Sequence, residues 1–271
     1  MPTRTAPPPT SYSRVAAAYD RTRYHPPEVS GRIATAIIEA VERAGCKEPR
    51  FIEIGVGSGR VAMPIVARGY RYVGVDVSEE MLAQFRAKYA GVSTKVSLIV
   101  ADARRLPFRK DEFDAAIAVG VLHLIEPWED AVKELVRVVR PGGVIVEGWD
   151  DIRDLGVEAE ISEQYRQLLK SLKAKLPEGR RRKRAREVAR FLRAYGQVGK
   201  EQPVTEWSQE RTPRDALEGI VDRLYSHTWE IPGPVHREAC TRLLAWAGGR
   251  FRDLDQPYKV KLAFTIRATR L

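Results

Sequence analysis

Five short apolar runs punctuate the first half of the chain, and their spacing narrows the fold more than any other feature. They are "RFIEIGV" (50–56), "YRYVGVDV" (70–77), "KVSLIVAD" (95–102), "FDAAIAVG" (113–120) and "GGVIVEGW" (142–149). Each is apolar on both faces, as a strand covered by helices on two sides requires. Segments of helical period separate most of them: 59–68, "SEEMLAQFRAKYAG" with Ser78 as N-cap, and "PWEDAVKELVRVVRPGG" with Pro127 at its start and Gly142 past its end. Strands alternating with helices at this spacing predict a parallel sheet with right-handed crossovers.

Two helical segments, 11–23 and "PPEVSGRIATAIIEAVERAG" ending at Gly45, precede the first strand. Beyond 150 the pattern changes. Helices are expected over 153–176, 180–196, 213–224 and 232–248, with a strand at 202–212 and a closing strand at 258–270. The expected fold is α/β: a Rossmann-like doubly wound sheet of seven strands, mostly parallel with the last antiparallel, carrying a helical cap insertion. The expected divisions are a disordered Pro-rich leader (1–10), a core (11–150), a helical insertion with a basic tract (151–198), and the last two strands with intervening helices completing the sheet (199–271).

Composition limits the setting. With 44% hydrophobic residues in 271, the chain can bury a substantial core. No run approaches the ~18 apolar residues of a membrane span, and "MPTRTAPPPT" lacks the apolar stretch of a signal peptide. Cys46 and Cys240 lie too far apart in sequence to form a ligand cluster, and the four histidines show no metal-binding spacing. A reducing, cytoplasmic location and no metal are therefore expected. The net charge of +10 is uneven: residues 1–150 carry +2 and residues 151–271 carry +8, of which "GRRRKRAREVARFLR" (179–193) supplies +7.

The turn after the first run, "EIGVGSGR", is the principal chemical signal. A dinucleotide fingerprint needs G-x-G-x-x-G, so that a pyrophosphate can approach the backbone. Here the third glycine comes one residue early, at Gly59, and Arg60 takes the sixth position. Glu53, two residues before Gly55, would repel a pyrophosphate and attract a cationic ligand. Asp76, at the end of the second run, sits where an acid accepts hydrogen bonds from ribose hydroxyls, and Asp102 ends the third run, where it can accept from an adenine amine. Three carboxylates at the ends of successive strands face one crevice.

In order and spacing, "EIGVGSGR", "VGVDVS", "VADARRLPF", "FDAAIAVGVLHLI" and "VVRPGG" resemble the class I S-adenosylmethionine-dependent methyltransferases, most closely the group that includes the quinone-biosynthesis C-methyltransferases, over about residues 14–150. The resemblance implies that Glu53, Gly55 and Gly57 surround the methionine end of S-adenosyl-L-methionine, with Val56 also among the cofactor-binding residues. Asp76 would hold the ribose, Val77 and Met81 would pack on the adenine, and Asp102 with the Ala103 backbone would read its edge. Val119 and Gly120 would lie beside the methionine moiety, and Tyr19 and Tyr24 would close over the cofactor. It also implies in-line methyl displacement to an acceptor, with S-adenosyl-L-homocysteine as product.

His123 in "VLHLI" is the candidate general base, its ordinary pKa of about 6.5 suiting proton transfer; the alternative is a ring packed on the crevice wall. Tyr24, His25, His123 and Trp149 are candidates for the acceptor pocket, with core packing as the alternative for Trp149 and a helix N-cap for Asp150. Arg104 and Arg105 read as solvated. The basic tract reads as a solvated amphipathic helix with Val188, Leu192 and Tyr195 on one face, or else as an electrostatic footprint for RNA. The expected partner is a small-molecule methyl acceptor. An RNA methyltransferase and a non-catalytic S-adenosylmethionine-binding regulator are the alternatives; the acceptor's identity and the oligomeric state are not legible.

Overall fold

The computed structural model describes residues 12–89, 91, 95–176 and 180–271; the expected leader, 1–10, lies outside them. A 3-10 turn, Ser13–Ala18, leads into α1 (Tyr19–Arg23) and α2 (Pro27–Glu42). The core alternation follows as β1 (Arg50–Ile54), α3 (Ala62–Val66), β2 (Arg71–Asp76), α4 (Glu79–Tyr89), β3 (Val96–Val100), β4 (Phe113–Val119), α5 (Trp128–Val138) and β5 (Val139–Asp154). After it come α6 (Val157–Ser171), α7 (Arg180–Leu192), β6 (Gln197–Val198), β7 (Gln202–Arg211), α8 (Pro213–Val221), α9 (Gly233–Arg250) and β8 (Tyr258–Arg270).

The strand order is β3-β2-β1-β4-β5-β8-β6, with β7 also paired to β8. β1 pairs in parallel with β2 on one side, Glu53 opposite Gly74, and with β4 on the other, Glu53 opposite Ile117. β3 and β5 extend the parallel array, and β6 runs antiparallel to β8. The order reverses between β1 and β4, which places a ligand crevice at the carboxyl ends of those strands. The sheet has eight strands rather than seven, because the two residues of β6 pair with Thr269 and Arg270 in a stretch too short to show periodicity.

Two boundaries depart from expectation for local reasons. β5 begins directly after α5, and "RPGG" is absorbed by a register shift opposite Phe113 and Ala115, so Gly142, past the end of α5 as expected, already lies inside a strand. β5 also continues to Asp154, so α6 begins at Val157. Ser78 does cap α4, its hydroxyl accepting from the Met81 N–H at 3.1 Å.

The described residues form two compact units. The first contains the chain up to Asp150, Arg180–Thr205 and Phe264–Leu271; the second contains the described residues from Asp151 to 176 and Glu206–Ala263. α6 and α7, placed together in one insertion by the sequence, thus belong to different units. Val188 and Leu192 of α7 are fully buried with Trp128, Leu135 and Ile145 in the first unit's core. Arg184 is buried as well, donating to the carbonyls of Leu122 and Ile125 and pairing with Glu126 and Glu187. The tract is therefore not simply a solvated face, and Tyr195, expected on its apolar side, lies beyond the helix end and is 41% exposed. The second unit has its own core, with Ile161 and Leu169 of α6, Leu217 and Ile220 of α8, and Leu243 of α9.

Two glycines give opposite predictions. A methyl at Gly31, inside α2, meets nothing within 4 Å. Gly31→Ala should raise stability by about 0.5–1 kcal/mol, since it restricts the unfolded chain and adds helix propensity. At Gly59 φ is +84° and an added Cβ would lie 2.7 Å from the Phe85 ring. Gly59→Ala should lower stability by roughly 2 kcal/mol or more, read as urea midpoints of the two variants against the parent protein.

Candidate active site

The carboxyl ends of β1 to β4 enclose a crevice of about 680 Å³, open to solvent and lying wholly within the first unit. Its shape begins with the turn after β1. Gly55, Gly57 and Gly59 all have positive φ, and a side chain at Gly55 would collide with Val121. Such a turn is open to glycine alone, and it lets a ligand meet bare backbone.

Asp76 ends β2 and fixes that turn. Its Oδ2 accepts from the Gly57 N–H at 2.9 Å and its Oδ1 from the Ser78 N–H at 3.0 Å. Burial pushes its pKa up against the pull of the Ser78, Gly57 and Val77 amides. Asp102, just past β3, is gripped by Arg104 through the Nε and Nη2 groups at 3.0 and 2.7 Å. Burial opposes ionisation there, but the Arg104 hydrogen bonds win and hold the carboxyl below its ordinary range. Arg104, read from sequence as solvated, is thus a fixed partner that also donates to the Glu126 carbonyl at 2.6 Å.

Ten of the expected cofactor residues line this crevice: Tyr19, Gly55, Gly57, Asp76, Val77, Met81, Asp102, Ala103, Val119 and Gly120. Two do not. Val56 is buried behind the wall, its N–H donating to the Val75 carbonyl. Glu53 lies inside the sheet and accepts from the Tyr72 hydroxyl at 2.7 Å. Burial pushes its pKa up to about 8, opposed by the Tyr72 hydrogen bond and by Arg60. Sequence reasoning missed Tyr12, whose ring meets Tyr19 edge-on at 5.2 Å, and Val121, Leu124 and Ile125 of the turn after β4.

The acceptor candidates scatter. Tyr24 is 54% exposed and does not line the crevice. His25 is buried, with Nε2 2.7 Å from Asp150 Oδ1 and 2.6 Å from Arg60 Nη1, while Arg60 donates to Asp150 Oδ2 at 2.8 Å. Burial and Arg60 lower the His25 pKa despite the carboxylate. Burial works against the Asp150 charge, yet Arg60 and His25 hold its carboxyl far below the ordinary range. Asp150 is therefore the hub of a buried ion cluster inside β5 and not a helix N-cap. The sequence signal for it was Arg60, noted there only as a departure from a glycine pattern. His123 and Trp149 line a second cavity, of about 310 Å³, which shares Gly120 and Val121 with the first.

The lining of the main crevice contains two carboxylates and, among the described residues, no Lys or Arg. A pyrophosphate would find no cation in that lining and would face the Asp76 carboxylate, whereas a nucleoside with a cationic substituent fits. The family described as methyltransferase domain matches residues 52–146, the span that builds this crevice. Residues 52–146 form a class I S-adenosylmethionine-dependent methyltransferase domain. Members of that family use S-adenosylmethionine as methyl donor. The chain is 35% identical over 137 residues to a demethylmenaquinone methyltransferase of Clavibacter sepedonicus, covering 50% of this chain and 54% of the relative. It is 34% identical over 114 residues to a phosphatidylethanolamine N-methyltransferase of Cereibacter sphaeroides, covering 41% and 56%. The chain thus spans about half the length of these relatives. The solved structure of the YcgJ protein of Bacillus subtilis shares the fold, with a TM-score of 0.52 at 20% identity over 88% of this chain and 97% of that one.

Glu53 yields a pH prediction for this domain. Its folded-state pKa of about 8 exceeds the ordinary 4.5, so the folded state holds a proton that the unfolded chain has lost within that window. Its contribution is full below the unfolded value and is lost as pH rises through 8, with a slope of up to about 1.4 kcal/mol per pH unit. Glu53→Gln keeps an acceptor for Tyr72 and cannot ionise. Urea unfolding at pH 5.5 and pH 8 should show the parent protein losing more stability than the variant over that interval.

Proposed function

We propose that this chain transfers a methyl group from S-adenosylmethionine to a small-molecule acceptor by in-line displacement. The observation that carries the reading is the cation-free, two-carboxylate crevice at the point where strand order reverses. When bound, S-adenosylmethionine supplies an electrophilic methyl carbon on a sulfonium. Asp76, already oriented by two amides, would accept from the ribose hydroxyls. Val77 and Met81 would pack on the adenine, with Asp102 and the Ala103 backbone at its edge. The bare backbone at Gly55 and Gly57 would face the methionine end, and Tyr12 and Tyr19 would shield it from water.

The protein's task is then alignment and exclusion of water, and alignment alone is worth about 7–11 kcal/mol in well-oriented reactions. The acceptor's nucleophilic atom forms a bond to the methyl carbon as the carbon–sulfur bond breaks and its electron pair returns to sulfur. An acceptor that must lose a proton would give it to His123, which stands in the adjoining cavity. Cavities of this size suit a small molecule. The basic tract, the feature that favours RNA, spends Arg184 on internal carbonyls and carboxylates.

Mass spectrometry of small molecules released from the purified protein should find S-adenosylmethionine or S-adenosylhomocysteine, and finding NAD would sink the reading. Asp76→Ala removes two hydrogen bonds to a charged group and should weaken S-adenosylhomocysteine binding about 10–100-fold by calorimetry. Unchanged affinity would show that the ribose lies elsewhere.

A further inference from the structure

Arg181, near the start of α7, is half-buried and has no carboxylate partner among the described residues. Among the described residues it makes one hydrogen bond, from Nη1 to the backbone carbonyl of Asp150 at 3.0 Å. Both carboxylate oxygens of Asp150 are already engaged, one by His25 and the other by Arg60. A guanidinium carries five N–H donors, so most of this one's capacity is unused. Burial and the neighbouring charge of Arg23, with Arg60 adding to them, lower its pKa against the opposing pull of the Asp150 carboxylate, which Arg60 already pairs.

Arg181 borders the cavity that holds His123 and Trp149, and a smaller one of about 270 Å³ on the other side of Trp149. The remaining charges around the larger cavity are matched. Glu147 is held by Arg267 through two hydrogen bonds, at 3.0 and 2.9 Å, and Arg184 faces Glu126 and Glu187. Among the described residues one positive charge is left over, beside the Trp149 ring and next to the Gly120–Val121 turn that also walls the cofactor crevice.

We propose that this cavity receives the methyl acceptor and that the acceptor is anionic, its carboxylate or phosphate group held by Arg181 and its apolar body lying against Trp149. A planar guanidinium meets both anions with paired hydrogen bonds, which makes Arg the suited residue. The inference rests on the methyl-transfer reading for the word acceptor, but the anion site itself is tested separately.

The test uses saturation-transfer NMR on the full chain saturated with S-adenosylhomocysteine, with benzoate, phenyl phosphate and uncharged benzyl alcohol as probes. Benzoate or phenyl phosphate should bind and benzyl alcohol much less, and the stronger anion identifies carboxylate or phosphate as the preferred group. Arg181→Gln should weaken anion binding about tenfold or more, the value of a hydrogen bond to a charged group. Lys183→Gln, the same charge change at an exposed position of the same helix, should leave it unchanged. S-adenosylhomocysteine affinity retained in Arg181→Gln shows that the variant is folded. Equal binding of benzyl alcohol, anion binding unaffected by Arg181→Gln, or no anion binding by protein that still takes S-adenosylhomocysteine would each overturn the proposal. Arg181-dependent anion binding by protein that takes no S-adenosylhomocysteine would uphold the anion site and strike the acceptor role along with the methyl-transfer reading.

Discussion

The hydrogen bond from the Gly57 amide to Asp76 organises the crevice. It joins the turn after β1 to the end of β2, the two places where the backbone must come close to a ligand. A carboxylate that accepts from two fixed amides cannot swing away, so its remaining acceptor positions are preset before anything binds. The positive-φ glycines allow the turn to reach it, and the parallel pairing of β1 between β2 and β4 brings the neighbouring walls into line. Preset acceptors of this kind reduce the ordering that binding must impose.

A second knot lies around Asp150. Arg60 from the first turn and His25 from the N-terminal segment converge on this one carboxylate near the end of β5. The cluster is buried, and removing Arg60 or Asp150 would strand the other's charge away from water, which is strongly destabilising for buried pairs. It therefore ties three distant stretches of sequence together within the methyltransferase unit. Arg23 and Arg181 lie close enough to this cluster to act on one another electrostatically, whereas the cofactor crevice is lined by two carboxylates, so the two neighbouring spaces differ in the ligands they favour.

Much of the first unit was legible because its information is local. Apolar runs ending in Asp76 or just before Asp102, and glycines at set offsets, report on strand ends and turns without reference to the rest of the chain. What escaped was the choice of partners. Nothing near Arg104 in sequence says that it folds back on Asp102, and nothing near Arg184 says that it reaches the carbonyls of Leu122 and Ile125. Glu53 was read as facing the ligand from its place two residues before Gly55, and nothing there says that Tyr72 on the neighbouring strand donates to its carboxylate. β6 was invisible because two residues carry no period. The long β5 was hidden because "RPGG" is ordinarily a stop signal and here is a bulge.

The division into two units has a consequence for the order in which the molecule can assemble. The chain passes from one unit to the other after Asp150, again between the described residues 176 and 180, after Thr205, and after Ala263. β8 follows every other element in chain order yet lies between β5 and β6 in the sheet. During synthesis β6 must therefore wait, unpaired with β8, while Glu206–Ala263 of the second unit is made. No single cut releases either unit as a continuous piece. The sheet beneath the crevice is closed from the far end of the polypeptide, so completing one unit requires the ribosome to have traversed the other.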